Sequence, residues 1–302
     1  MSQKKLKNIS ASTRQKLLNK AIFKKRPFSE LMQYFAMERF LYRLSKSPYA
    51  DQFILKGALM LQAWQSPIFR PTMDIDMLSK TNSNEATIKT QIREIITMDI
   101  EPDGLTFNPE TIQSERITRD IDYEGLRIIF QGKLNTAKFK IQIDIGFGDV
   151  VFPGPEKLDL PTILDFPPIN ILCYSRESTI AEKFEAMLKL HELNSRMKDF
   201  YDIWLLSRQF GFEGKKLSEA ISKTLKNRGT DLPEEITAFS ETFTEIKQVQ
   251  WLAFRKKLKQ EYVPTEFTEV ISKIKDFLTP IINALHSGNT MHRYWTAKGF
   301  WK

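Results

Sequence analysis

Thr72-Met73-Asp74-Ile75-Asp76-Met77-Leu78 alternates apolar and polar residues with a period of two, the pattern of a β-strand whose successive side chains face opposite ways. On that reading Met73, Ile75 and Met77 enter a core, and Asp74 and Asp76 share the other face. Two carboxylates held that close repel unless a positive charge lies between them. A divalent metal is the usual answer, and Mg²⁺ prefers such oxygen ligands. The plain alternative is a pair of acids on the solvated face of a half-buried strand, although Asp is depleted in strands. A later stretch repeats the design: Phe139, Ile141, Ile143 and Ile145 face one way, Gln142 and Asp144 the other. If the two strands are neighbours, Asp144 becomes a third carboxylate. Three carboxylates can hold two metal ions, one activating an attacking hydroxyl and one stabilising a triphosphate and its leaving pyrophosphate.

Just upstream, the apolar run Phe53-Ile54-Leu55 leads into Lys56-Gly57, and Ala58 to Trp64 reads as a short helix. Glycine beside a helix N-terminus lets backbone N–H groups approach phosphate oxygens closely, and Lys56 would add charge. An ordinary strand-to-helix turn with an exposed lysine has the same local sequence.

Further out, Leu31, Met32, Phe35, Phe40, Leu41 and Leu44 fall at helical spacing before Pro48. A helix is predicted over about Asn84 to Met98. Strands are predicted over Thr111 to Ile121, Leu126 to Gln131 and Lys138 to Ile145, with Gly132 and Asn135 supplying a turn. Five prolines from Pro153 to Pro168 mark a connecting region, and beyond Ser178 every periodic segment reads as helix. The expected architecture is an α/β (α+β) core over residues 1–170 and a helical C-terminal domain over 171–302. In that domain Thr179 and Glu182 have capping-box spacing. Lys183 lies off the apolar stripe of Ile180, Phe184 and Met187, with its amine expected to project into a cleft. Asp199 and Asp202 share a face of the next helix, and Arg196–Asp199 and Lys198–Asp202 have the spacing of surface ion pairs.

Composition constrains the class. The chain has 302 residues, 41% hydrophobic and 27% charged, which suits a folded globular protein. No apolar run approaches the ~20 residues of a membrane helix, and the lysine-rich start is not followed by the apolar stretch of a secretory signal. Cys173 is the only cysteine, which excludes an internal disulfide and fits a reducing cytoplasm. The three histidines, His191, His286 and His292, have no metal-ligand or triad spacing. No Walker A sequence is present. The net charge of +8 suits a polyanionic partner such as nucleic acid or nucleotide. The first 26 residues are notably basic, and the C-terminal stretch from His292 to Lys302 mixes aromatic and basic residues. That tail could stack on the bases of a single strand, or pack its aromatics on its own domain.

The run Phe53-Ile54-Leu55-Lys56-Gly57-Ala58 followed by Arg70-Pro71-Thr72-Met73-Asp74-Ile75-Asp76 resembles the AbiEii-type nucleotidyltransferase toxins, of the DNA polymerase β-like nucleotidyltransferase superfamily. Glu38 to Leu44, Ala181 to Ala186 and Arg196 to Asp202 are similar to further motifs of that family, so the resemblance spans about Phe28 to Phe210. It implies a polymerase β-like core with a mixed sheet, followed by helices. It implies transfer of a nucleotide from an NTP to RNA, with the 3′ end of tRNA as acceptor. The cofactor would be two Mg²⁺ ions, with Mn²⁺ as a substitute. The cellular role would be the toxin of a toxin–antitoxin or phage-defence pair, restrained by a cognate antitoxin and free of the membrane. By the same resemblance Asp74, Asp76 and Asp144 bind metal, and Lys56, Gly57, Ala58, Arg70 and Thr72 contact the nucleotide. Lys183 neutralises triphosphate charge, and Asp202 or Asp199 completes the site. Ala58 stands where the superfamily usually has Ser or Thr, so that hydroxyl contact to a phosphate is lost. Two other functions stay open: a catalytically silent RNA- or partner-binding module on the same fold, and a metal-dependent nuclease. The second is disfavoured because Gln142-Ile143-Asp144 stands where many such nucleases carry acid-x-Lys.

Overall fold

A computed structural model describes residues 8–66, 71–81, 84–120, 123–258, 260–297 and 299–302. The chain falls into two compact units, one of residues 1–148 and 156–173, the other of residues 149–155 and 174–302.

The first unit is a mixed sheet with helices packed on it. In chain order its elements are α1 (Ile9–Phe23), α2 (Phe28–Lys46), β1 (Phe53–Lys56), α3 (Met60–Ala63), β2 (Ile75–Ser79), α4 (Glu85–Thr97), β3 (Leu105–Asp120), β4 (Tyr123–Leu134), β5 (Ala137–Phe147), β6 (Glu156–Leu160) and β7 (Ile169–Cys173). Seven strands lie in the order β3-β4-β5-β2-β1-β7-β6. β2 runs parallel to β5, and β1 parallel to β7; the other neighbours are antiparallel. One face carries Leu55, Ile75, Met77, Ile143 and Ile145, in one buried cluster with Phe35 and Phe40 of α2 and Ile88, Ile92 and Ile95 of α4.

Two expectations are corrected here. β2 begins only at Ile75, and Met73 is 53% exposed rather than in the core, because the segment before Ile75 leaves the ladder. The proline-marked region is not merely a connection: β6 and β7 lie within it and join the sheet. Its prolines stand at the ends of those strands, where no ladder N–H is needed. The residues called strand at 121 fall outside the described ones, as do the lysines of residues 1–7.

α2 is buried on every side from Leu31 to Leu44, so its polar residues require partners. Arg39 Nε and Arg43 NH1 both donate to the buried Asp103 carboxylate, at 3.0 and 2.8 Å. Glu38 Oε2 accepts the Ile163 N–H at 2.7 Å, while its other oxygen is buried without a hydrogen-bond partner among the described residues.

The second unit holds α5 (Arg176–Leu190), α6 (Met197–Gln209), β8 (Phe212–Glu213), α7 (Gly214–Arg228), α8 (Glu241–Leu258), α9 (Phe267–His286), β9 (Tyr294–Thr296) and β10 (Phe300–Trp301). It is helical apart from a three-stranded sheet, β10-β9-β8, whose strands are too short to show a period in sequence. α5 starts earlier than the capping-box reading placed it. Ser175 is the N-cap and accepts the Ser178 N–H, a role its hydroxyl fills as well as Thr179 would. The C-terminal aromatics are structural in part: Trp295 Nε1 donates to Ser207 O, Trp301 Nε1 to Phe277 O, and both rings pack on Phe277.

Burial pushes the Glu38 carboxyl up to about 7, against the opposing hydrogen bond from Ile163 N–H. A carboxyl raised above its unfolded value stabilises the fold at low pH and loses that contribution as pH rises through the folded value. Urea unfolding of Glu38→Gln should therefore gain on wild type by roughly 2 kcal/mol between pH 5 and pH 8. A difference independent of pH would show that Glu38 is ionised throughout.

Candidate active site

The parallel pairing of β2 with β5 sets Asp76 directly opposite Asp144. Paired residues share a face of the sheet, and here it is the face opposite the helix-packed core. Asp74 joins them from the segment just before β2, and one carboxylate oxygen from each of the three lies within 4.8 Å of the others. The Asp74 segment is pinned from α2. The Thr72 N–H donates to Tyr34 Oη at 2.8 Å, and Gln33 Nε2 donates to Lys140 O at 2.8 Å and Met73 O at 3.4 Å. The Thr72 hydroxyl then donates to Asp74 Oδ1.

The row extends beyond the acids. β1 places Lys56 opposite Asp76, β4 places Arg127 opposite Asp144, and β3 places Glu115 opposite Arg127. Two carboxylates facing each other across strands destabilise a sheet, and here a cation flanks each of them. Arg127 grips Asp144 in a two-point contact, Nε to Oδ1 and NH2 to Oδ2, both at 2.8 Å. Gln142 Nε2 adds a third donor to Oδ1 at 3.2 Å. The hydrogen bond to Asp144 raises the Arg127 pKa, so the guanidinium stays charged. Arg127 drew no attention in the sequence, yet a signal was there. Leu134 and Ala137 pair across a two-residue turn in which Asn135 has φ 56°, and the same register carried back along the hairpin meets Asp144 at Arg127.

Gly57 follows Lys56 in the left-handed region, φ +75°, and a Cβ there would collide with the Asp76 carboxylate. Both facts require glycine: the backbone comes up against the acids and opens a single 3-10 turn, Gly57–Leu59. The Ala58 side chain is buried. Arg70 lies outside the described residues.

In the second unit Lys183, Asp199 and Asp202 form a group of their own. Lys183 Nζ lies 2.8 Å from Asp199 Oδ1 and 2.7 Å from Asp202 Oδ2, so the amine is gripped rather than loose in a cleft. Arg196 Nε is 2.8 Å from Asp199 Oδ2. Asp199 is buried, which corrects the surface-pair reading. Burial drives its carboxyl upward, but Lys183 and Arg196 outweigh it and hold the pKa below the usual range. A second hub surrounds Arg228, whose guanidinium meets Asp149, Glu182 and Glu185.

Three clustered carboxylates are the donor set that Mg²⁺ favours, and the fit is sound: Asp74 and Asp76 keep partial exposure. Among the described residues this is the only group of three or more potential ligands drawn so close.

A family model described as "Nucleotidyl transferase AbiEii toxin, Type IV TA system" matches residues 39–277. Two crystal structures from Helicobacter pylori are similar in fold. One, ascribed to a nucleotidyltransferase, is 14% identical with TM-score 0.49; the other, JHP933, is 13% identical with TM-score 0.48. Each match covers 85% of this chain and 97% of the other. No curated protein matches the chain.

Arg127→Gln would leave Asp144, 4% exposed, without its two-point cation. Breaking a buried pair costs about 3–5 kcal/mol, and the 30% exposure of the Arg127 side chain reduces this to roughly 2 kcal/mol. Urea unfolding in EDTA measures the loss. A change below about 0.5 kcal/mol would mean that the pair contributes nothing to the apo fold.

Proposed function

The chain belongs to the nucleotidyl transferase AbiEii toxin family, and from that premise we propose that it moves a nucleoside monophosphate from an NTP to the 3′ end of an RNA, with tRNA the acceptor. It is a nucleotidyltransferase, of a family of toxin–antitoxin toxins. The observation that supports metal-dependent transfer most is the register setting Asp76 opposite Asp144, with Asp74 alongside. Asp74, Asp76 and Asp144 would hold the Mg²⁺ ions. When bound, the ions supply Lewis-acid activation of the acceptor hydroxyl and neutralise charge on the departing pyrophosphate.

The chain's own groups do the rest. Gly57 brings backbone up to the carboxylates without a side chain in the way, which suits N–H contacts to phosphate. Thr72 orients Asp74, while Arg127 and Gln142 orient Asp144. Lys183, held by Asp199 and Asp202, is the cation proposed to meet the triphosphate. A cognate antitoxin and a cytoplasmic setting follow from the same reading.

Asp76→Asn keeps the shape of the side chain and removes a ligand charge. With Mg²⁺, each α-³²P-labelled NTP and total tRNA, wild type should label RNA. The variant should do so more slowly by on the order of 10²–10³-fold, the scale of one lost electrostatic group. Labelling by Asp76→Asn at the wild-type rate would refute the assignment. Pyrophosphate release, followed by a coupled phosphate assay, without labelled RNA would move the acceptor to another class of molecule.

A further inference from the structure

The end of α1 presents a feature that fold stability does not require. Ile9 to Arg26 contains Arg14, Lys16, Lys20, Lys24, Lys25 and Arg26 and no acidic residue. α1 closes with Lys25 in the left-handed region and the Arg26 N–H donating to Ala21 O. Cations at a helix C-terminus are explained by its dipole. Large exposed apolar groups are not, and Phe23 is 86% and Ile22 69% exposed. The cations are crowded: burial, with Lys20 and Arg26 close by, lowers the Lys24 pKa.

The corner also has an address. The Arg26 guanidinium lies over the Tyr34 ring, 5.4 Å from its centroid. Tyr34 Oη accepts the Thr72 N–H, and the Thr72 hydroxyl donates to Asp74. Two residues separate Phe23 from Arg26, and these few contacts separate Arg26 from the carboxylate cluster. Met73, the neighbour of Asp74 in sequence, is 53% exposed.

We infer that Phe23, Lys24 and Lys25 form the resting place of a single-stranded RNA whose end enters the carboxylate cluster, Phe23 stacking on a base and the lysines meeting its phosphates. The inference rests on the transfer reading above and names the surface that holds the acceptor. A cluster of three carboxylates repels a polyanion, so an acceptor strand needs cationic surface close by. An exposed aromatic among lysines combines the two contacts that unpaired strands use, stacking and phosphate neutralisation. A membrane surface fits less well: Leu17 and Ala21 are buried in the protein, leaving too little apolar area to insert. A protein partner would have to bring acidic groups to a segment that has none of its own.

Equilibrium anisotropy with a fluorescein-labelled single-stranded RNA of about twelve nucleotides, in EDTA, tests this without any transfer step. Phe23→Ala should weaken binding about tenfold and Phe23→Trp should restore it. Lys24→Gln with Lys25→Gln should lower the log–log salt slope by about 1.4, the release expected for two phosphate contacts. Lys256→Gln with Lys257→Gln, an equal charge change at the exposed end of α8, should leave affinity close to wild type. Equal weakening by both double variants would reduce the effect to bulk charge and overturn the inference. So would wild-type binding by Phe23→Ala, a Phe23→Ala effect on sedimentation alone, or no RNA binding by wild type. RNA bound normally but never labelled would sink the transfer reading and leave this contact standing.

Discussion

Everything at the carboxylate cluster depends on the lateral register of one pair of parallel strands. β2 and β5 are joined by no hairpin; β3, β4 and α4 intervene in sequence, so sheet packing alone decides which residue of one meets which of the other. A slip of a single residue would turn every side chain of β2 to the opposite face. Asp76 would then enter the buried cluster of Ile143, Ile145 and the α2 aromatics, where an unpaired carboxylate is strongly disfavoured. Burial of Ile75 and Met77 thus fixes the register, and the register brings Asp76 to Asp144. Core and carboxylate cluster are specified by the same constraint on opposite faces of one sheet.

The same row shows how the fold accommodates two facing acids. Lys56, Asp76, Asp144, Arg127 and Glu115 stand in line across five strands, so the acids lie between cations supplied by the sheet itself. Arg127 binds both oxygens of Asp144 and Gln142 adds a donor to Oδ1, three contacts on a carboxylate that offers about four acceptor positions. The cluster is held ready by neighbouring strands rather than by loops, and rigid elements hold functional groups more closely than loops do. Asp74 is the exception. It lies ahead of β2, and α2 secures it through Gln33, Tyr34 and the Thr72 segment.

In the second unit, each of two largely buried cations is shared by several carboxylates. Lys183 is shared by Asp199 and Asp202, and Arg228 by Asp149, Glu182 and Glu185. Burial by itself would lower the Arg228 pKa, but those three carboxylates raise it above its ordinary value. The segment of residues 149–155 is tied to α5 through the hydroxyls of Ser175 and Ser178, both donating to Phe152 O. That local tie groups this short stretch with the helices rather than with the sheet that flanks it in sequence.

The sequence by itself determined the alternation from Ile75 to Met77 that turns Asp76 away from the core, the matching alternation around Asp144, and the mixed α/β class with helices following, because these depend on residue type and spacing along a single strand or helix. The required glycine at position 57 was legible as a turn, but its conflict with Asp76 was not. Only the tertiary structure decided that Asp144 faces Asp76, that Arg127 grips it, and that Tyr34 and Gln33 hold the Asp74 segment. Only the structure set Lys183 between Asp199 and Asp202, and brought Arg26 over the ring of Tyr34, which holds Thr72. Those are relations between distant segments. The physical reason is that a period along the chain says which way a side chain points, whereas its partner is chosen by how whole elements pack to bury their apolar faces.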